Sequence, residues 1–204
     1  MNPAVPYPGT VRHGRPILPR PALGSLVLLL LGSLSLSAAN LTVRTNPYSI
    51  VSLGGLSEDE YFVAAERLAG VQGIAAFEVN VSCPNIKEGG VSFGIDPCAI
   101  EKIVRGVKQK AGKALVITKL TPNITDVTVP AKAAIAGGTD ALSMINTLRG
   151  VAIDIRAKKP YFANVSAGLS GPAIKPIGLC MVWDCFAKIP ECRRRQVPIL
   201  GIGG

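Results

Sequence analysis

Residues 75–120, AAFEVNVSCPNIKEGGVSFGIDPCAIEKIVRGVKQKAGKALVITKL, decide the fold of this chain of 204 residues. The segment opens with an apolar run, Ala75–Val81, and closes with another, Ala114–Leu120. Between the two runs, Asp96-Pro97 marks a helix start, because Asp caps helices and Pro is tolerated at the first helical position. Strand, helix and strand in this order predict a βαβ unit with parallel strands.

The same alternation continues on both sides of this unit. Further strands are predicted at Tyr48–Leu53, Ala141–Ile145 and Val197–Ile202. Further helices are predicted after a capping box at Ser57–Glu60, from Thr125-Asp126 to Gly137-Gly138, and over Ile174–Ile189. Because Pro130 lies inside the second of these helices, a kink or a late start is expected there.

The predicted strands are nearly continuous apolar runs, which is typical of a parallel sheet buried on both faces. Strands alternating with helices indicate the α/β class, either an open sheet or a (β/α)₈ barrel, known as the TIM barrel. About five strand–helix units are present, whereas a complete barrel has eight. We therefore expect residues 46–204 to form an incomplete TIM barrel, and residues 1–45 to stand apart from it.

Residues 1–45 differ in composition from the rest of the chain. They are rich in Pro and Arg, contain no acidic residue, and include the uncharged apolar run Leu23–Ala39. A basic flank followed by such a run resembles a signal peptide, but the run is short for a membrane span. Three interpretations of residues 1–45 are open: a secretion signal or membrane anchor, a buried apolar segment, and a divergent or mis-assigned N-terminus. The third is favoured.

Composition excludes several other classes of protein. A hydrophobic content of 48% excludes disorder over most of the chain. Five cysteines without a CxxC motif argue against a disulfide scaffold and a structural zinc site, and favour a reducing compartment, the cytoplasm. The one histidine, His13, lies in the N-terminal tail, so no His-based triad or metal site is expected in the body of the chain.

The net charge of +9 does not indicate a nucleic-acid-binding protein. Aromatic residues make up only 5% of the chain, and no basic run has aromatics interleaved with it. The cluster Arg193–Arg195 is interpreted as a solvated helix end.

Polar residues follow three predicted strands where each strand ends. Asn80, Ser82 and Cys83 end the run Ala75–Val81 and are followed by Pro84-Asn85. Lys119 ends the next strand, and Asn146-Thr147 follow Ala141–Ile145. Ligands bind at this edge of parallel α/β folds. A Lys is costly to bury there unless it meets an anion or an electron-rich ring, which favours a ligand-binding role for Lys119. The alternative is that Lys119 has no role in binding and either snorkels to solvent or forms a salt bridge.

Cys83 is the candidate base for proton transfer. It lies between polar neighbours past a strand end, and no histidine is available to take that role. By contrast Cys98, Cys180 and Cys185 lie on predicted helices and are expected to be small buried hydrophobes.

Two glycine-rich stretches, Ala167–Pro172 and Gly201–Gly204, come late in the series of units. Backbone N–H groups at such turns can bind phosphate, and TIM barrels often build their phosphate site from their last loops.

Together these stretches resemble the class 1 dihydroorotate dehydrogenase family, in which the base is a Cys. The motifs that carry the resemblance, over about residues 48–204, are Glu78–Asn85, Gly89–Gly94, Asp96-Pro97, Thr118–Asn123, Ile145–Gly150, Gly168–Pro176 and Gly201–Gly204. The Gly89–Gly94 loop is closest to the NAD-linked subtype, whose catalytic subunit pairs with an iron–sulfur flavoprotein subunit.

The resemblance implies an FMN-binding TIM barrel that oxidises dihydroorotate to orotate in pyrimidine biosynthesis. Cys83 would abstract the C5 proton, and Lys119 would lie by flavin N1. The substrate would be bound by Asn80, Asn85, Asn146 and Thr147. FMN would be bound by Asn80, Lys119, Ile145, Gly171, Gly203 and Gly204. A homo- or hetero-oligomer is expected.

Departures from the family leave alternatives open. Residues 1–47 lack the strands that supply further FMN and orotate contacts, and residues beyond Gly204 would finish the phosphate site. We therefore expect poor or no activity from this chain alone. The alternatives are an inactive fragment or non-catalytic remnant of the family, and a dihydropyrimidine dehydrogenase-like flavoenzyme.

Overall fold

The computed structural model describes residues 49–82 and 93–203. Its main feature is a parallel sheet of five strands, which are β1 (Ser49–Leu53), β2 (Ile74–Asn80), β3 (Leu115–Lys119), β4 (Ala141–Met144) and β9 (Ile199–Gly201). Their order in the sheet is β1-β2-β3-β4-β9. All five coincide with predicted strands: β2 is shifted by one residue toward the N-terminus, and the other four are shorter than predicted by one or more residues. The α/β prediction is therefore confirmed, and within the described residues β1 and β9 are the edges of the sheet.

Four helices pack side by side in a single layer against this sheet, and a short fifth follows them. They are α1 (Glu58–Leu68), α2 (Pro97–Lys110), α3 (Thr128–Ala136), α4 (Lys175–Lys188) and α5 (Pro190–Arg193). Strands that are neighbours in the chain are also neighbours in the sheet, so the crossovers all advance in one direction. This winding places the helices on the same side, as right-handed crossovers require.

The helix starts follow the capping signals in the sequence. The Ser57 side chain accepts from the Glu60 backbone N–H, and Asp96 accepts from that of Cys98. Helix α3 begins late, at Thr128, so that Pro130 falls in its first turn, where no N–H is needed. The hydroxyl and then the backbone N–H of Thr128 donate to Asp126 and lower the pKa of its carboxyl.

The two faces of the sheet differ in character. The face against the helices forms the main core, in which Phe77, Val79, Val116 and Leu142 are fully buried. The opposite face has only a small apolar cluster, Ala76, Ile117 and Ala141. Polar side chains occupy the rest of this second face toward the carboxyl ends of the strands, namely Ser52, Glu78, Asn80, Lys119 and Ser143. The expectation of strands that are apolar on both faces therefore holds for one face only.

An excursion that the sequence did not predict lies between β4 and α4. It contains two antiparallel pairs, β5 (Leu148–Val151) with β8 (Ser166–Leu169) and β6 (Ile153–Asp154) with β7 (Lys159–Pro160). Because β8 pairs with β5, the chain leaves the strand edge after β4 and returns to it at Leu169. The excursion thereby brings the first glycine-rich stretch next to Thr147 and Leu148.

Two of the helical cysteines are not the buried hydrophobes that the sequence suggested. Cys98 and Cys180 are exposed, whereas Cys185 and Cys192 are buried. Cys180 lies on an outward face of α4 with Trp183, which is 65% exposed, so this face is apolar without being covered. Helical position alone did not predict burial, because burial depends on which side of the helix its neighbours cover.

This difference in burial predicts selective thiol reactivity. Burial raises the pKa of Cys185 to about 12 and also raises the pKa of Cys192, so both remain protonated and unreactive at pH 8. Brief treatment of the folded chain with iodoacetamide is expected to alkylate Cys98 and Cys180 at least about tenfold faster than Cys185, measured by peptide mass spectrometry. Equal rates in urea are the control, and equal rates in the folded chain would contradict the described packing.

The Arg193–Arg195 cluster begins at the last residue of α5 and is exposed, as expected for a solvated helix end. No helix within residues 49–82 and 93–203 is long and apolar enough to cross a bilayer. The run Leu23–Ala39, and with it the expectation for residues 1–45, lies outside the described residues, so that division of the chain stays a prediction.

Candidate active site

Two of the polar residues predicted at strand ends, Asn80 and Lys119, lie on one face of the sheet together with Ser143. In the parallel register, Asn80 of β2 is opposite Lys119 of β3, and Lys119 is opposite Ser143 of β4. Side chains at paired positions of adjacent strands project from the same face. The register therefore gathers an amide, an ammonium and a hydroxyl at the carboxyl edge of the sheet.

Lys119 forms an ion pair with Glu78, at 3.3 Å between Nζ and Oε2. The other oxygen of this carboxylate, Oε1, accepts from the Ser143 hydroxyl at 2.8 Å. The two charged side chains are largely buried, at 21% exposure for Lys119 and 19% for Glu78. The salt-bridged alternative for Lys119 is thus present in the structure.

Asn80 connects β2 to the residues after β4. Its side-chain oxygen accepts from the Ser82 backbone N–H at 3.1 Å and from Asn146 Nδ2 at 3.3 Å. The Ser82 hydroxyl in turn donates to the backbone oxygen of Lys119 at 3.0 Å. These bonds bring three of the predicted site residues, Asn80, Lys119 and Asn146, into one connected cluster.

Thr147 is held in place by Asn123, a residue with no individual role among the predictions from sequence. Asn123 Nδ2 donates to the Thr147 backbone oxygen at 3.1 Å, and its Oδ1 accepts from the Arg149 N–H at 2.8 Å. Asn123 thus fixes the chain on both sides of Leu148, where the excursion begins. The signal available in the sequence was its place in the Thr118–Asn123 motif, directly after a strand end.

The first glycine-rich stretch packs directly against Thr147. A Cβ added at Gly168 would lie 2.4 Å from Thr147 Oγ1 and 2.7 Å from Thr147 Cβ. Only glycine fits this contact unless the strand pair β5–β8 shifts.

We therefore expect Gly168→Ala to lower the free energy of unfolding by about 1–3 kcal/mol through overpacking. Gly150→Ala is the matched control, because a Cβ at Gly150 in the partner strand would meet Leu169 Cβ at an ordinary 3.4 Å. This control should change stability by less than about 0.5 kcal/mol. Urea unfolding measures both variants, and equal effects would contradict the packing of Thr147 on β8.

The two glycine-rich stretches approach each other at the start of α4. Gly171 and Gly203 both have positive φ, 91° and 96°, which favours glycine. A Cβ at Gly203 would lie 3.3 Å from Ile174 Cδ1, three residues beyond Gly171. A Cβ at Gly171 would meet no atom within 4 Å, so its backbone borders open space.

Ile145 lies differently from the polar residues. It is only 3% exposed, and it packs against α4, where a Cβ at Gly178 would be 3.5 Å from Ile145 Cδ1. Its assignment to FMN rests on the resemblance. Cys83, Asn85 and Gly204 lie outside the described residues, and their roles stay predictions.

Glu78 is the functional candidate that sequence reasoning missed. In the sequence it stands out only as the first residue of the Glu78–Asn85 motif. The signal was an acid inside an apolar strand, two positions before Asn80 and therefore on the same face.

Most of the chain is similar to known proteins. The family model described as dihydroorotate dehydrogenase matches residues 35–204. A relative from Geobacter sp. (strain M21), named dihydroorotate dehydrogenase B (NAD(+)), catalytic subunit, is 50% identical over 161 residues, which are 79% of this chain and 50% of the relative. A protein of the same name from Solidesulfovibrio magneticus is 48% identical over 155 residues, 76% of this chain and 49% of the relative.

The chain spans about half the length of the curated relatives it matches. The family match nevertheless covers every described strand and helix and all of the residues gathered at the strand ends. This chain belongs to the dihydroorotate dehydrogenase family.

Proposed function

We propose that this chain is the catalytic part of a dihydroorotate dehydrogenase, which oxidises dihydroorotate to orotate in pyrimidine biosynthesis and uses FMN in a TIM barrel. The observation that carries the proposal is the cluster of Asn80, Lys119 and Asn146, gathered at one strand edge by register and hydrogen bonds. The family match supports the substrate. The consecutive order of the five parallel strands supports the barrel.

The described residues fit an anionic cofactor with a hydrogen-bonding ring. Lys119, whose side chain is still 21% exposed, provides an ammonium, and Asn80 provides an amide at the paired position of the next strand. Gly171 and Gly203 provide turns with accessible backbone near the start of α4, where a phosphate is favoured. When bound, FMN supplies the hydride acceptor.

Residues of the chain itself would take the proton from the substrate and bind the substrate and the cofactor. We assign Cys83 as the base that takes the C5 proton of dihydroorotate. Asn80 and Asn146, whose side chains hydrogen-bond each other, present amide groups of fixed orientation to the pyrimidine ring. Asn85 and Thr147 complete the proposed substrate contacts, and Ile145 and Gly204 the proposed FMN contacts.

The proposal includes a partner subunit. The relatives are named catalytic subunits of an NAD(+) enzyme, which supports a second subunit that passes electrons onward. We propose an iron–sulfur flavoprotein in that role, an oligomeric assembly, and a cytoplasmic location.

Ligand discrimination tests the substrate assignment. Orotate is expected to perturb the visible spectrum of the chain with bound FMN in a saturable way, whereas uracil at the same concentration should not. Asn146→Ala should weaken the orotate response about tenfold or more, because it removes an amide from the proposed pocket. Asn164→Ala, at an exposed amide of the excursion, is the control. A response to uracil alone would favour a dihydropyrimidine dehydrogenase-like enzyme.

A further inference from the structure

Glu78 differs from the other ion-paired acids of the chain. Among the six ion pairs within the described residues, only Lys119–Glu78 has both side chains less than a quarter exposed. Both of its carboxylate oxygens are engaged, one by the ammonium and one by the hydroxyl of Ser143, which is 2% exposed. A partly buried charge pair interacts more strongly than a surface pair.

The arrangement ties three strands together through one carboxylate. Glu78 lies on β2, and its carboxylate contacts Lys119 of β3 and the Ser143 hydroxyl of β4, the second strand away. A Lys stem has many rotamers, and a fixed anion selects among them. Ser143 fixes the anion, so the position of the Lys119 ammonium is defined by two neighbouring strands.

We propose that Glu78 is a positioning residue that holds the Lys119 ammonium at the strand edge and offsets part of its charge. The proposal rests on the proposed function, in which Lys119 lies beside the flavin. Without Glu78 the ammonium would face a bound flavin with its charge uncompensated. It would then favour the anionic reduced ring over the neutral oxidised ring more strongly than the parent chain does.

The ion pair is tested first without any cofactor, in a double-mutant cycle of Glu78→Gln, Lys119→Met and the double variant in urea unfolding. The effects of the two substitutions are expected to be non-additive. The unfolding equilibrium constant of the double variant should differ about fivefold from the value expected if the two single effects simply combined. The control cycle uses Glu66→Gln and Lys110→Met, a surface pair at 2.8 Å with 61% and 44% exposure. Its coupling should stay below about twofold. Additive effects at Glu78 and Lys119 would overturn the proposal.

The charge offset is tested by the dissociation constants of oxidised and reduced FMN. Glu78→Gln is expected to raise the preference for reduced FMN about tenfold, equal to about 30 mV for a two-electron couple. Glu78→Asp, which keeps the charge, should change the preference less, and Glu66→Gln should leave it unchanged. An unchanged preference in Glu78→Gln would overturn the proposal, because a merely structural role would not alter it.

The two claims fail separately. A parent chain that binds no FMN would contradict the proposed function, and the cycle without cofactor would still decide whether Glu78 holds Lys119. Strong coupling in that cycle would then support the positioning role.

Discussion

Replacing Lys119 by Met is expected to lower the rate at which dihydroorotate reduces FMN bound to the chain by about 100- to 1000-fold. The ammonium stands at the carboxyl end of β3, opposite Asn80 in the register and at the edge proposed to bind the cofactor. Negative charge develops on the flavin as it is reduced, and a fixed ammonium in a partly buried site stabilises that charge. Met keeps most of the apolar stem and removes only the charged group.

Lys113→Met is the matched control for this prediction. Lys113 is exposed and precedes β3, so the same substitution is made at the opposite end of the same strand. Its rate should lie within about twofold of the parent. Because Lys119→Met also leaves Glu78 without its ammonium partner, the double variant with Glu78→Gln separates the two effects. A double variant that recovers the parental rate would show that the unpaired carboxylate, and not the missing ammonium, causes the loss.

Replacing Cys83 by Ala is expected to lower the same rate by about 100- to 10,000-fold, the usual contribution of a positioned acid or base. FMN binding should be preserved, because the FMN contacts proposed for Asn80, Lys119 and the glycine turns are unchanged. Stopped-flow absorbance at the flavin band measures the rate, and equilibrium titration measures the binding. Cys98→Ala, at an exposed thiol in the first turn of α2, is the control and should match the parent. A Cys83→Ala chain that is reduced at the parental rate would remove Cys83 from the mechanism.

The strands and helices of the main sheet could be predicted because their signals are local. Asp96 with Pro97 and Ser57 with Glu60 are capping signals that act within one turn, and each opens a helix where it was expected. The excursion between β4 and α4 could not be predicted in this way. Its pairs β6–β7 and β5–β8 are only two and four residues long, so their existence depends on pairing between distant segments rather than on a run of apolar residues.

The same distinction between local signals and long-range pairing applies to the residues of the candidate site. Lys119 and Asn80 were predictable because a polar residue at the end of an apolar strand is conspicuous in the sequence. The role of Glu78 was not, because it depends on a register that places Ser143 and Lys119 on the same face. The exposure of Cys180 was missed for a related reason, since the neighbours of α4 determine which of its sides is covered.

We have proposed that the strand-edge cluster belongs to a dihydroorotate-oxidising flavin site. The visible spectrum of the purified chain with bound FMN, recorded without oxygen before and after dihydroorotate is added, tests this directly. Dihydroorotate is expected to remove the flavin absorbance band, slowly because this chain alone is expected to be poorly active, and to leave the band of the Lys119→Met chain in place on the same timescale. Bound FMN that dithionite bleaches but that dihydroorotate leaves oxidised even after long incubation would contradict the assignment of this site.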